Sequence, residues 1–153
     1  NYLMKKTILI LLVFITLASC EYRAIYSSKN FAFNIIKIDK LKKDKLNFAI
    51  EKRLLIFSNN QAQKLISLEI NAKKQIITVS KDKQGDPSRY EMIIELDLTI
   101  TNDQDQKIKN NIRHKFGYNI NSNRFKLNQY EKEIEEILIN KIIDDVIKEL
   151  SKI

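Results

Sequence analysis

The sequence predicts an α+β fold: a two-layer sandwich whose four-stranded, mostly antiparallel sheet is covered on one face by two helices. Three observations lead there. Tyr90, Met92, Ile94, Leu96, Leu98 and Ile100 alternate with Glu91, Glu95, Asp97, Thr99 and Thr101, which is the pattern of a half-buried strand. Four polar residues, Asn102–Asp105, then separate it from a second alternating run, so the two form a hairpin. A stripe of Ile134, Leu138, Ile142, Val146 and Leu150, widened by Ile137, Ile139, Ile143 and Ile147, makes a closing helix broad enough to lie on a sheet.

Taken in order, Phe31–Asp39 reads as the first strand, with a change of face at Ile35 and Ile36 that implies a bulge. Asp44 is placed to cap a helix over Lys45–Phe57, whose apolar stripe is Leu46, Ala49, Ile50, Leu54 and Phe57. Leu65–Ser80 is the second strand. Its alternation Ile66, Leu68, Ile70, Ala72 changes phase to Ile77 and Val79, which a bulge near Lys73–Gln75 would explain. Lys81–Arg89 holds Gly85 and the single proline and reads as a loop. Arg89–Thr101 and Gln106–Ile120 are the third and fourth strands, with Ile93 out of phase on the polar face. Asn121–Lys126 is a second polar loop. Asn128 with Glu131 has the spacing of a capping box for a helix over Gln129–Lys152.

The first nineteen residues are expected to play no part in that fold. Met4 is the expected start, with Asn1–Leu3 as an upstream extension. Lys5 and Lys6 supply a positive region, Ile8–Leu17 an apolar run, and Ala18 and Ser19 a small-residue cleavage site. The run is shorter than the roughly 20 residues a spanning helix needs. Leu17-Ala18-Ser19-Cys20 resembles the lipobox of a bacterial lipoprotein signal. The expected product is a chain whose N-terminal Cys20 carries two or three acyl chains, which anchor stably where one would not. The domain plan is a removed signal peptide over 1–19, a lipidated N-terminus and tether over 20–30, and one domain over 31–153.

Composition narrows the functional classes. Formal charge is +8 for the whole chain. Without Lys5 and Lys6 it is 25 Lys and Arg against 19 Asp and Glu, or +6. Such a surface suits anionic partners: nucleic acid, acidic lipid or phosphorylated glycan. Export argues against nucleic acid. Cys20 is the only cysteine, so its acylation leaves no disulfide, thiolate metal site or cysteine nucleophile. His114 is the only histidine, and its phase with Ile112 and Phe116 suits a half-buried side chain better than a base. Gly85 and Gly117 stand alone, so neither a nucleophile elbow nor a phosphate-cradling loop is present. Glu131, Glu133, Glu135 and Glu136 are expected to favour a helix N-terminus rather than to act as paired catalytic acids. No enzyme activity, cofactor or metal is expected.

Two further segments carry a family resemblance. Cys20-Glu21-Tyr22-Arg23-Ala24-Ile25-Tyr26 resembles the Cys-Gly-aromatic-Arg-Pro-Leu-Tyr opening of the lipopolysaccharide (LPS)-assembly lipoproteins, the LptE family. Glu21 and Ala24 depart from it. Arg89-Tyr90-Glu91-Met92-Ile93-Ile94 resembles the family's Tyr-x-Met/Leu third strand. The resemblance spans the mature chain and implies a binding protein of the outer membrane, seated partly inside the LPS-translocating β-barrel LptD. Its expected partners are LptD, LPS and, through Cys20, outer-membrane lipid. Glu21 is not the Asp that retains lipoproteins at the inner membrane. The resemblance implies a basic contact at Lys83 and a second near Lys126. With Lys81, Arg89 and Arg124 these make the candidate LPS-binding set, cations suited to lipid A phosphates. Tyr90 and Met92, on the apolar face of a strand, are expected in the core. The other reading of the residues is an adaptor lipoprotein, pilotin-like or a scaffold, that does not bind LPS.

Overall fold

A computed structural model describes residues 31–153; the signal, Cys20 and the tether lie outside the described residues. The chain folds as β1 (Phe33–Lys40), α1 (Lys45–Ile56), β2 (Lys64–Lys81), β3 (Pro87–Thr101), β4 (Lys107–Asn119) and α2 (Arg124–Leu150). The strands lie side by side in chain order. β2, β3 and β4 form an antiparallel meander, and β1 runs parallel to β2. The parallel pair follows from connectivity, because a helix between two strands carries the chain back to its starting end. The expected bulge in β1 is present, with the register shifting between Ile35 and Lys37.

One core joins the layers. Phe33 and Ile35 of β1, Ile66–Ala72 on alternate residues of β2, and Met92–Ile100 on alternate residues of β3 face Ile50 and Leu54 of α1 and the Ile134–Leu150 stripe of α2. The helices are tied together by Arg53 of α1, which contacts Glu136 and donates to Asn140 Oδ1 at 2.7 Å. His114 and Asp145, 2.7 Å apart, tie β4 to α2. Among the described residues, no helix is long and apolar enough to cross a membrane.

Four expectations need correction. First, β2 has no bulge at Lys73–Gln75; pairing with β3 is unbroken from Ser67 to Thr78, and the irregularity comes later, around Ser80. The phase change marks the end of helical cover instead. From Lys73 to Lys81 every residue of β2 is exposed, so Ile76, Ile77 and Val79 need not share a face. Second, α2 begins at Arg124, capped by Asn123, whose side chain accepts from Lys126 N at 3.1 Å. Asn128 is not the cap; Glu131 accepts from the Tyr118 hydroxyl at 2.6 Å instead. Third, Ile137 is 44% exposed and falls outside the buried stripe. Fourth, Lys81 and Pro87–Arg89 are strand rather than loop, leaving only 82–86 as the turn.

Asn47 is the one buried polar residue of the described core. Its amide completes the sheet where β1 leaves it. The last β1 contacts with β2 are at Ile70, and Asn47 then pairs with the next backbone groups on that edge, accepting from Ala72 N at 2.7 Å and donating to Ala72 O at 3.2 Å.

Candidate functional site

The turn joining β2 to β3 and the end of β4 lie together. Arg89 pairs with Asn119, and Ile120 N donates to Ser88 O at 3.2 Å. α2 starts three residues after Asn121, at this same end. The two basic segments read from the sequence therefore share one pole. Phe33, Lys64 and Thr101 mark the other.

Each cation is held differently. Lys81 closes β2 opposite Pro87. Lys83 sits in the 82–86 turn, which Asp82 organises by accepting from Gln84 N and Asp86 N, both at 2.9 Å, while Gly85 takes φ +92°. That left-handed conformation suits a residue without a Cβ. Arg89 lies over Gly117: a Cβ there would come within 2.9 Å of the Arg89 Nη2. Val79, Ser80 and Glu91 complete a small cleft of about 260 Å³ around it. Arg124 and Lys126 stand in the first turn of α2 rather than in a loop.

All five are exposed or half-exposed, and none makes an ion pair among the described residues. Along the uncovered sheet face cations are often matched, as in Lys73 with Asp97 at 3.1 Å and Lys115 with Glu91 at 3.3 Å. The helix terminus adds to the imbalance. The first turn of α2 has no acidic residue. Its partial positive charge therefore adds to that of Arg124 and Lys126. The acids expected there are displaced inward by the earlier helix start. Glu131 binds Tyr118, Glu135 pairs with Lys74 at 2.8 Å, and Glu136 meets Arg53. A macrodipole acts only over its terminal turn, so these glutamates do not neutralise it.

Behind the cations stands an aromatic row. Tyr118 meets Tyr90 and Tyr130 edge-on, with centroids 6.0 and 6.1 Å apart. Burial and the Glu131 hydrogen bond push the Tyr118 hydroxyl well above the ordinary tyrosine range, so it stays a neutral donor. Met92 is fully buried and Tyr90 partly so, as their place on the strand predicts. Phe125, between Arg124 and Lys126, has no place in the periodic pattern and is 75% exposed. The run Arg-Phe-Lys, an aromatic between cations, is the signal that could have marked it.

His114 faces the helices as its phase predicts. Its partner Asp145 also accepts from Lys148 at 2.9 Å, and these two hydrogen bonds, Lys148 foremost, hold the Asp145 carboxyl below its usual value. Among the described residues no group of three or more His, Cys, Asp or Glu side chains is placed to hold a metal ion.

No protein-family model and no curated protein sequence matches this chain. Solved structures do. The rare lipoprotein B of Shewanella oneidensis superposes with a TM-score of 0.56 at 14% identity, over 78% of this chain and 93% of that one. A lipoprotein B of Nitrosomonas europaea superposes with a TM-score of 0.59 at 9% identity, over 78% of this chain and 85% of that one. The four-stranded sheet with two helices is thus the fold of those lipoprotein structures.

Proposed function

We propose that this chain is an LptE-like envelope lipoprotein, held at the outer membrane by acylated Cys20, that binds LPS and serves as plug and assembly partner of a β-barrel LPS translocon. It works by binding, without catalysis. The observation that carries the reading is the gathering of Lys81, Lys83, Arg89, Arg124 and Lys126, all without ion pairs among the described residues, at the end of the sheet where α2 begins. Lipid A presents phosphates, and unpaired cations are their natural donors. The fold shared with lipoprotein B structures and the lipobox at Leu17–Cys20 support the same reading.

The test is LPS affinity of the mature acylated protein carrying Lys83→Glu and Lys126→Glu. Each exposed charge reversal is expected to weaken binding, the pair by about tenfold or more, and to flatten its salt dependence. The melting temperature should stay within a few degrees, since neither side chain is buried. Unchanged affinity would remove LPS binding from this end. Crosslinking in cells tests the partner: a single large β-barrel supports the plug role, and a secretin or no partner overturns it.

A further inference from the structure

Phe125 lies at the pole that gathers the cations, yet it is apolar and 75% exposed, the most exposed of the large hydrophobic side chains described. It occupies the first turn of α2 between two of those cations. A soluble anion would use the charges and leave the ring wet. An acylated phosphate would use both.

We propose that Phe125 is an acyl-chain contact: it enters the hydrocarbon of a single phosphorylated lipid, of the lipid A type, while the surrounding cations hold its phosphates. The inference rests on the LPS reading above and adds the part of the ligand that charge does not recognise. The side chain is suited to the task. Position 125 is in a helix fixed by the Asn123 cap, so the ring is presented from a set backbone. Its removal from water is deferred until ligand arrives, so its burial contributes to binding rather than to folding. The flanking Arg124 and Lys126 can extend apolar stems along the ligand while their charged ends stay at phosphate level.

The chain contains no tryptophan, so Phe125→Trp installs a single reporter. The mature acylated protein is placed in phosphatidylcholine nanodiscs. It is then titrated with intact lipid A, with lipid A stripped of its acyl chains, with phosphatidylglycerol, and with a single-stranded oligonucleotide. Intact lipid A is expected to shift the emission of the introduced indole to shorter wavelength and shield it from acrylamide, whereas the stripped form binds with no shift. In the otherwise native chain, Phe125→Ser should lose roughly tenfold in affinity for intact lipid A, at the low end of what burying a phenylalanine contributes. It should lose nothing for the stripped form, and Phe125→Leu should restore most of the difference. Because Phe125 is exposed, thermal melts of the three variants should match wild type. If the introduced indole stays wet while intact and stripped lipid A both bind, the acyl contact is wrong and the LPS reading survives. If neither form binds the native chain, both fail. An equal shift with phosphatidylglycerol would replace the single-lipid site with a membrane surface. Shielding by the oligonucleotide would replace it with base stacking. Either result overturns the proposal.

Discussion

Replacing Asn47 with leucine should be the most damaging near-isosteric change in the described core. Leucine fills about the same volume, so no large cavity forms, and the loss isolates hydrogen bonding. Asn47 is fully buried and its amide serves both the N–H and the C=O of Ala72, itself 1% exposed, at the place where β1 no longer pairs with β2. The same Nδ2 also donates to Asp44 Oδ1 at 2.9 Å, joining the sheet to the cap of α1. Each buried backbone group left without a partner costs about 1–3 kcal/mol, so two cost roughly 2–6 kcal/mol, partly offset by the gain from burying leucine. A net loss of about 2–4 kcal/mol is a large share of the roughly 5–15 kcal/mol typical of a domain. The assay is urea unfolding of the mature protein by far-UV circular dichroism, since no tryptophan is available. With a denaturant slope of about 1–3 kcal/mol per molar, the midpoint should fall by roughly 1–3 M. A fall worth less than about 0.5 kcal/mol would mean that the Asn47 amide does not stand in for the missing strand.

Stability should also depend on acid. Hydrogen bonds from Asn47 to Asp44, from Asn111 and Lys73 to Asp97, and from Lys148 and His114 to Asp145 hold all three carboxyls below their ordinary value of 3.8. A carboxyl with a depressed folded pKa contributes its stability in full above the unfolded value and loses it as pH falls through the folded one. The urea midpoint should therefore be insensitive to these groups near pH 5 and fall below about pH 4, and Asp44→Asn, which keeps the cap, should shrink that fall. The glycines should diverge: Gly117→Ala meets only the flexible end of Arg89 and should change stability by less than about 1 kcal/mol, while Gly85→Ala, strained at φ +92°, should cost about 1–2 kcal/mol by the same unfolding measurement.

The fold is legible where one face of an element is buried along its whole length. β3 alternates, apart from the buried Ile93, because one of its faces packs on the helices, and the α2 stripe is clear from Ile134 onward for the same reason. Legibility fails where burial stops. The distal half of β2 leaves the helices behind, so its apolar residues obey no common phase, and a phase change that suggests a bulge is only exposure. The start of α2 is ambiguous because local capping grammar at Asn128 competes with Asn123, and the tertiary bond from Tyr118 to Glu131 decides between them. Leu127, partly buried seven residues before Ile134, carries the correct signal. Asn47 is illegible in principle from periodicity, because a buried amide is justified only by a backbone group twenty-five residues away. For the candidate site, turn residues and chain order suffice to bring the cations to one pole. Their lack of counter-charges, and the position of two of them on a helix terminus, require the fold.

The strand that displays the cations also measures how far they stand from where the chain enters the fold. Phe31 leads into β1 beside Lys64, and Lys81 lies at the far end of the same β2. Eighteen residues of strand, at about 3.3 Å each, make this a rod of roughly 55 Å. Any attachment through residues before Phe31 thus grips the handle of a tool whose working end is nearly two hydrocarbon thicknesses away, at about 30 Å per bilayer core. Lengthening the β2–β3 hairpin between Lys81 and Pro87, past the last core residues of β3, would change that reach without touching the core.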